Sequence, residues 1–258
     1  MRRLRGIRIA VAAVLLAGSG SAQEPPPPER RSGATFMRPE TQALQRDEAA
    51  NPALLWLGEG EALWHRPEGR AERACASCHD GPPRGVAARY PAFDEASGGP
   101  VDLAGRVNLC RARHQEAEPL PRESPALLAL TAYVASFSRG VPIEDPARDL
   151  RLAPALGRGR ALYTRRMGQL DLSCSGCHDL NWRERLGASP ITQGQATGYP
   201  LYRLEWQSLG SLQRRMRNCL TGVRAEPFPY GAPEYVELEL HLRARAAGLP
   251  IETPALRP

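Results

Sequence analysis

The 258-residue sequence predicts a mostly α-helical protein of two tandem domains related by internal duplication. Two observations carry that expectation. The pentapeptide Cys-x-x-Cys-His occurs twice, as Cys75-Ala76-Ser77-Cys78-His79 and Cys174-Ser175-Gly176-Cys177-His178. Registering one on the other at an offset of 99 places Gly58-Glu59-Gly60-Glu61-Ala62-Leu63-Trp64 on Gly157-Arg158-Gly159-Arg160-Ala161-Leu162-Tyr163. At an offset of 108, residues 117–121 fall on 225–229 and Gly140-Val141-Pro142-Ile143 falls on Gly248-Leu249-Pro250-Ile251, so the second half carries nine extra residues in between.

Taken in order, residues 1–22 read as a secretory signal peptide. Arg2, Arg3, Arg5 and Arg8 precede a short apolar run, and small residues up to Ala22 suit cleavage. The Pro-rich stretch 23–28 follows as an extended leader. Residues 23–150 form the first domain, with an N-terminal helix carrying Trp64, the pentapeptide on a turn, a loop, and a closing helix marked by Leu127, Leu128, Val134 and Phe137. Residues 139–155, rich in Pro, Asp and Arg, suit a linker. Residues 151–258 repeat the plan with Tyr163 on the first helix. The closing helix starts at Gly231-Ala232-Pro233, carries Tyr235, Val236, Leu238, Leu240 and Leu242, and stops near Gly248.

Composition narrows the function classes. Removing the four leader arginines takes the formal charge from +6 to +2, so the basicity belongs mostly to the leader. A nucleic-acid binder would show a basic patch interleaved with aromatics, and none is present. No stretch approaches the roughly 18 apolar residues of a membrane span. The mature chain therefore reads as an exported, periplasmic protein in which disulfides are permitted. Aromatic residues are only 6 % of the chain, so bound porphyrin would supply much of the large apolar surface.

Cys-x-x-Cys-His is the attachment pattern of c-type haem. Two thiols a short loop apart add to the vinyl groups of one porphyrin, and the adjacent histidine reaches the iron. A disulfide, a redox dithiol or half of a zinc site would explain the Cys-x-x-Cys pair alone, but not the trailing histidine in both copies. The reading is two covalently bound haem c groups, one on Cys75 and Cys78 with His79 as iron ligand, the other on Cys174 and Cys177 with His178.

An electron-transfer haem takes a second axial histidine or methionine, yet neither residue recurs at matching places. Cysteine does. Cys110 lies 31 residues after His79 and Cys219 lies 41 after His178, each with an arginine four positions earlier, Arg106 and Arg215. On a helix these positions share a face. One reading makes each sulfur the distal ligand of its own iron; the other joins Cys110 to Cys219 in a disulfide. Arg214, Arg215 and Arg217 crowd Cys219, and Arg243 or Arg245 could complete an anion site.

The chain resembles the SoxA family, the dihaem cytochrome subunit of L-cysteine S-thiosulfotransferase. The resemblance is carried by the paired motifs, by Tyr202-Arg203-Leu204-Glu205-Trp206-Gln207-Ser208-Leu209-Gly210-Ser211-Leu212-Gln213-Arg214-Arg215, by Arg217-Asn218-Cys219 and by Arg224-Ala225-Glu226-Pro227. It implies two cytochrome c-like domains and an enzyme of thiosulfate oxidation. It also implies that Cys219 is the active-site residue, a persulfide that ligates iron, that Arg215 binds substrate, and that Cys110 is the distal ligand of the first haem. The implied partners are the monohaem cytochrome SoxX, in a heterodimer, and the SoxYZ carrier, whose cysteine receives thiosulfate. The competing expectations are a dihaem electron carrier, which calls for histidine or methionine ligation, and a dihaem peroxidase, which calls for an open iron.

Overall fold

The structure, a computed structural model, describes residues 29–79, 81 and 83–258. The expected signal peptide and the Pro-rich stretch 23–28 lie outside the described residues.

The chain is mostly helical, with seven α-helices joined by short hairpins and turns among the described residues. α1 (Pro39–Arg46) and α2 (Ala53–His65) open it, followed by the pentapeptide turn and the hairpin β1 (Ala92–Asp94) and β2 (Gly99–Val101). α3 (Leu103–Cys110) and α4 (Pro125–Ser136) follow. After the linker come α5 (Ala153–Thr164), the second pentapeptide, the hairpin β3 (Arg185–Leu186) and β4 (Ser189–Pro190), and the strands β5 (Leu201–Arg203) and β6 (Ser208–Gly210). α6 (Leu212–Gly222), α7 (Pro233–Arg245) and β7 (Ala255–Arg257) end the chain.

α2 packs on α4 and α5 on α7, and each pair crosses at a glycine. A Cβ added to Gly60 would stand 2.3 Å from the Ala129 carbonyl oxygen, and one on Gly159 would stand 2.0 Å from that of Glu237. Only glycine lets the backbones approach this closely. α4 buries every residue from Leu127 to Ala135, which is why its sequence is apolar all round. Ser124 caps it by accepting from the Leu127 amide at 3.3 Å, and Pro125 and Pro233 hold the first positions of α4 and α7.

The same backbone details recur at the two places the repeat register aligns. Tyr90-Pro91 and Tyr199-Pro200 are both cis. β1–β2 and β5–β6 pair in the same antiparallel register, Asp94 facing Gly99 as Arg203 faces Ser208. Asp102 caps α3 and Ser211 caps α6, both on the third amide, at 2.6 and 3.1 Å. These matches run at an offset of 109, one more than the closing segments. The odd residue sits directly after Cys110, where α3 continues into a π-helical turn, Arg111–Gln115, that α6 lacks. An extra residue is what a π turn accommodates.

Two features fell outside the sequence expectation. The segment expected as a loop before each closing helix holds a hairpin and the helix that bears Cys110 or Cys219. The linker is partly ordered pairing: the Gly140 amide donates to Ile251 at 2.8 Å and the Gly248 amide returns the bond to Ile143 at 2.9 Å. The two halves thus clasp each other through equivalent segments. They also share a core, in which Ala53, Leu128 and Ala132 pack with Tyr202, Leu209 and Leu256, while β7 pairs in parallel with β5.

Candidate active site

α6 places the second site. Leu212, Met216 and Leu220 form its buried stripe, four residues apart, and anchor it to the core that includes Leu162 and Tyr235. The same spacing puts Arg215 and Cys219 together on an adjoining face. His178 comes from the π-helical turn Gly176–Leu180, which begins within the second cysteine pair and includes Cys177. Its Nδ1 lies 2.7 Å from the Thr192 carbonyl oxygen, a bond that fixes the ring and leaves Nε2 free to bind. Gly194, with φ +69°, folds the following loop over the ring, where a Cβ would meet His178 Cγ at 3.0 Å.

His178 and Cys219 come within hydrogen-bonding reach of each other, with Cys174 and Cys177 beside them. Burial pushes the Cys219 thiol up, but the His178 hydrogen bond and the positive charges of Arg215 and Arg203 more than offset it, holding the thiol below its usual range. Burial drives Cys174 the other way, up to about 11, and the charge of Cys219 adds to it. Of the three sulfurs, Cys219 is the one whose surroundings favour the thiolate, the form that acts as nucleophile and metal ligand.

This donor set fits c-type haem: two thiols for the porphyrin, an imidazole held by its far nitrogen, and a sulfur facing that imidazole. In the first half Cys110 lies beside Cys75 and Cys78, as Cys219 lies beside its own pair. His79 is exposed, its ring 5.3 Å from that of Trp64. All six cysteines are unbridged, and Cys110 and Cys219 belong to different clusters, so the geometry does not favour a disulfide between them.

The two clusters differ in charge. Arg106 donates to Asp94 at 2.8 Å and to the Tyr90 hydroxyl at 3.1 Å, and Arg113 grips the same carboxylate at 2.8 and 3.0 Å. Burial pushes the Cys110 thiol up, and the arginines do not reverse it. Arg215 has no ion pair among the described residues. Its neighbour is Arg203, on β5 at the position Asp94 holds on β1, whose charge acts on both Arg215 and Cys219. Sequence reading passed over Arg203 although the pairs Arg106/Arg215 and Cys110/Cys219 run in the same register of 109, because its counterpart there is Asp94, a residue of opposite charge that no motif marks.

Of the remaining arginines, Arg243, Arg214 and Arg217 are otherwise engaged, which corrects the expectation for Arg243 at the anion site. Arg243 is buried between the halves and donates to the carbonyls of Tyr90 (3.0 Å), Ala196 (2.9 Å) and Ala87. Arg245 pairs with Asp179 at 2.6 Å and stacks over Tyr163, while its buried Nε has no hydrogen-bond partner among the described residues and its charge acts on Cys174. Arg214 pairs with Glu123 at 2.6 Å, and Arg217 lies over the Tyr230 ring and donates to Phe228.

Comparison with known proteins agrees with this chemistry. Residues 59–143 match the cytochrome c domain of the SoxA/TsdA family, whose domain carries covalently bound haem c. The chain is 38 % identical over 232 residues to L-cysteine S-thiosulfotransferase subunit SoxA of Rhodovulum sulfidophilum, covering 89 % of this chain and 80 % of that protein. To the same subunit of Pseudaminobacter salicylatoxidans it is 34 % identical, covering 89 % and 81 %. The fold matches the crystal structure of SoxXA from P. pantotrophus with a TM-score of 0.83 at 32 % identity, covering 88 % of this chain and 86 % of that one. On the strength of these matches, the chain belongs to the SoxA family.

Proposed function

We propose that the chain is the catalytic subunit of a periplasmic L-cysteine S-thiosulfotransferase, a duplicated dihaem cytochrome with its domains divided near residue 150. Cys75, Cys78 and His79, with Cys110, hold one haem c; Cys174, Cys177 and His178, with Cys219, hold the other. The observation that carries the reading is the Cys219 sulfur, which faces His178 and stands beside an unpaired Arg215.

Arg215 binds the thiosulfate dianion through charge-assisted hydrogen bonds and sets its outer sulfur against Cys219. Cys219, as a thiolate or its persulfide, mediates the sulfur exchange. In the net reaction one sulfur–sulfur bond forms between thiosulfate and the carrier cysteine thiol, one proton leaves, and two electrons are released. Haem c, when bound, supplies the one-electron acceptor chemistry. SoxX, in a heterodimer with this chain, is the next carrier, and SoxYZ is the thiol substrate. The comparison structure of SoxXA supports the SoxX partner, and the family resemblance implies SoxYZ.

Cys219→Ala in the assembled complex tests the reading. Thiosulfate-dependent reduction of cytochrome c should fall by at least roughly 1,000-fold, as for loss of a nucleophile. Unchanged turnover would remove the role of Cys219.

A further inference from the structure

We propose that Arg203 is a second anion-binding arginine of the Cys219 site and the residue that distinguishes it from the Cys110 site. The inference rests on the thiosulfate reading above and names a residue that reading does not require.

The two clusters sit on the same frame. Each has a cis Tyr–Pro bond, a three-residue hairpin in identical register, a capped helix, an arginine one turn before the cysteine, and the cysteine itself. In that frame the residue ending the first hairpin strand lies beside the helix arginine. In the first half it is Asp94, 5 % exposed, which pairs with both Arg106 and Arg113 and offsets their charge. In the second half it is Arg203, 12 % exposed. A carboxylate that neutralises the site has been replaced by a guanidinium that adds to its charge.

Arg203 is held rather than free. Its Nε donates to the Pro258 carbonyl at 2.9 Å, one Nη pairs with Glu205 at 3.0 Å, and the guanidinium lies over the Trp206 ring. Glu205 is mostly exposed, so its charge is well screened. Arg215, on the other side, has no carboxylate within ion-pair distance among the described residues, although the charge of Glu205 reaches it. Two half-buried guanidiniums beside the Cys219 sulfur, with one screened carboxylate in ion-pair range, favour an anion at that sulfur. A tetrahedral dianion with several acceptor oxygens matches two planar forks, and thiosulfate is such an ion.

The test uses the haem-loaded complex with its partner cytochrome and reads KM and kcat for thiosulfate separately. Arg203→Asp, which restores the charge found at Asp94, should raise KM roughly 10-fold or more while kcat changes less, as expected for loss of a charge-assisted contact made on binding. Arg203→Lys should recover most of that loss. Glu205→Gln, which breaks the same ion pair but keeps the arginine, should leave KM unchanged or lower it. Arg203→Gln supplies the same KM reading if the aspartate variant does not accumulate as folded holoprotein. A wild-type KM in Arg203→Asp, or an equal loss in Glu205→Gln, overturns the inference about Arg203 while leaving Cys219 in place. Full turnover in Cys219→Ala, measured alongside, overturns the underlying reading instead.

Discussion

Gly159 lies so close to Glu237 that a Cβ on the glycine would stand 2.0 Å from the glutamate carbonyl oxygen and 3.1 Å from the Cβ of His241. The equivalent contact in the first half is Gly60 against Ala129 and Tyr133. In both, the first helix seats the residue that backs the pentapeptide, Tyr163 or Trp64, so the spacing of the helices fixes the wall of the site.

A methyl group at Gly159 must therefore push two helix backbones apart, because the nearest atom is main chain and cannot rotate away. Gly159→Ala should destabilise the folded protein by about 2–3 kcal/mol despite the better helix propensity of alanine. Gly157→Ala, two residues earlier with no heavy atom within 4 Å, should be neutral or slightly stabilising. Chemical denaturation of the two variants checks the contrast.

Arg243 satisfies three carbonyls that belong to both halves, Ala87, Tyr90 and Ala196. Arg243→Met leaves all three buried acceptors without a donor, so stability should fall by about 3 kcal/mol or more. The KM for thiosulfate should stay at the wild-type value in the protein that remains folded. An unchanged denaturation midpoint with a raised KM would return Arg243 to the anion site.

Glu239 lines the cavity between the halves with Asp102, Arg122 and Tyr199. Burial, with the Asp102 carboxylate adding to it, pushes its carboxyl up to about 8 against the pull of Arg243 and Arg122. The folded protein holds this proton to higher pH than the unfolded chain, where glutamate titrates near about 4.3. The stability it confers is complete below that value and is lost as pH rises through about 8. Glu239→Gln should match the wild type near pH 4 and exceed it by at least about 1 kcal/mol at pH 9. Denaturation curves at the two pH values decide it.

The pentapeptides, the repeat and the spare cysteine pair were legible in the residues because each depends on local spacing. Two thiols and an imidazole must sit within five residues to hold one porphyrin, and Arg215 must precede Cys219 by one helical turn to share its face. The closing helices were legible for the same reason: Pro233 at a first helical position and an apolar run along α7 are local signals.

What surrounds Cys219 was decided only in three dimensions. Arg243, Arg214 and Arg217 look alike in the sequence, and each is withdrawn from the site by a partner 11 to 156 residues away, a carbonyl, a carboxylate or a ring. Arg203 lies sixteen residues before Cys219 and reaches it because the β5–β6 hairpin folds back onto α6. Spacing along the chain determined which group could be bound and which sulfur could face it. The excess positive charge beside that sulfur depends on which charges tertiary packing neutralises, and packing left Arg215 and Arg203 together where the first half sets Asp94 against Arg106.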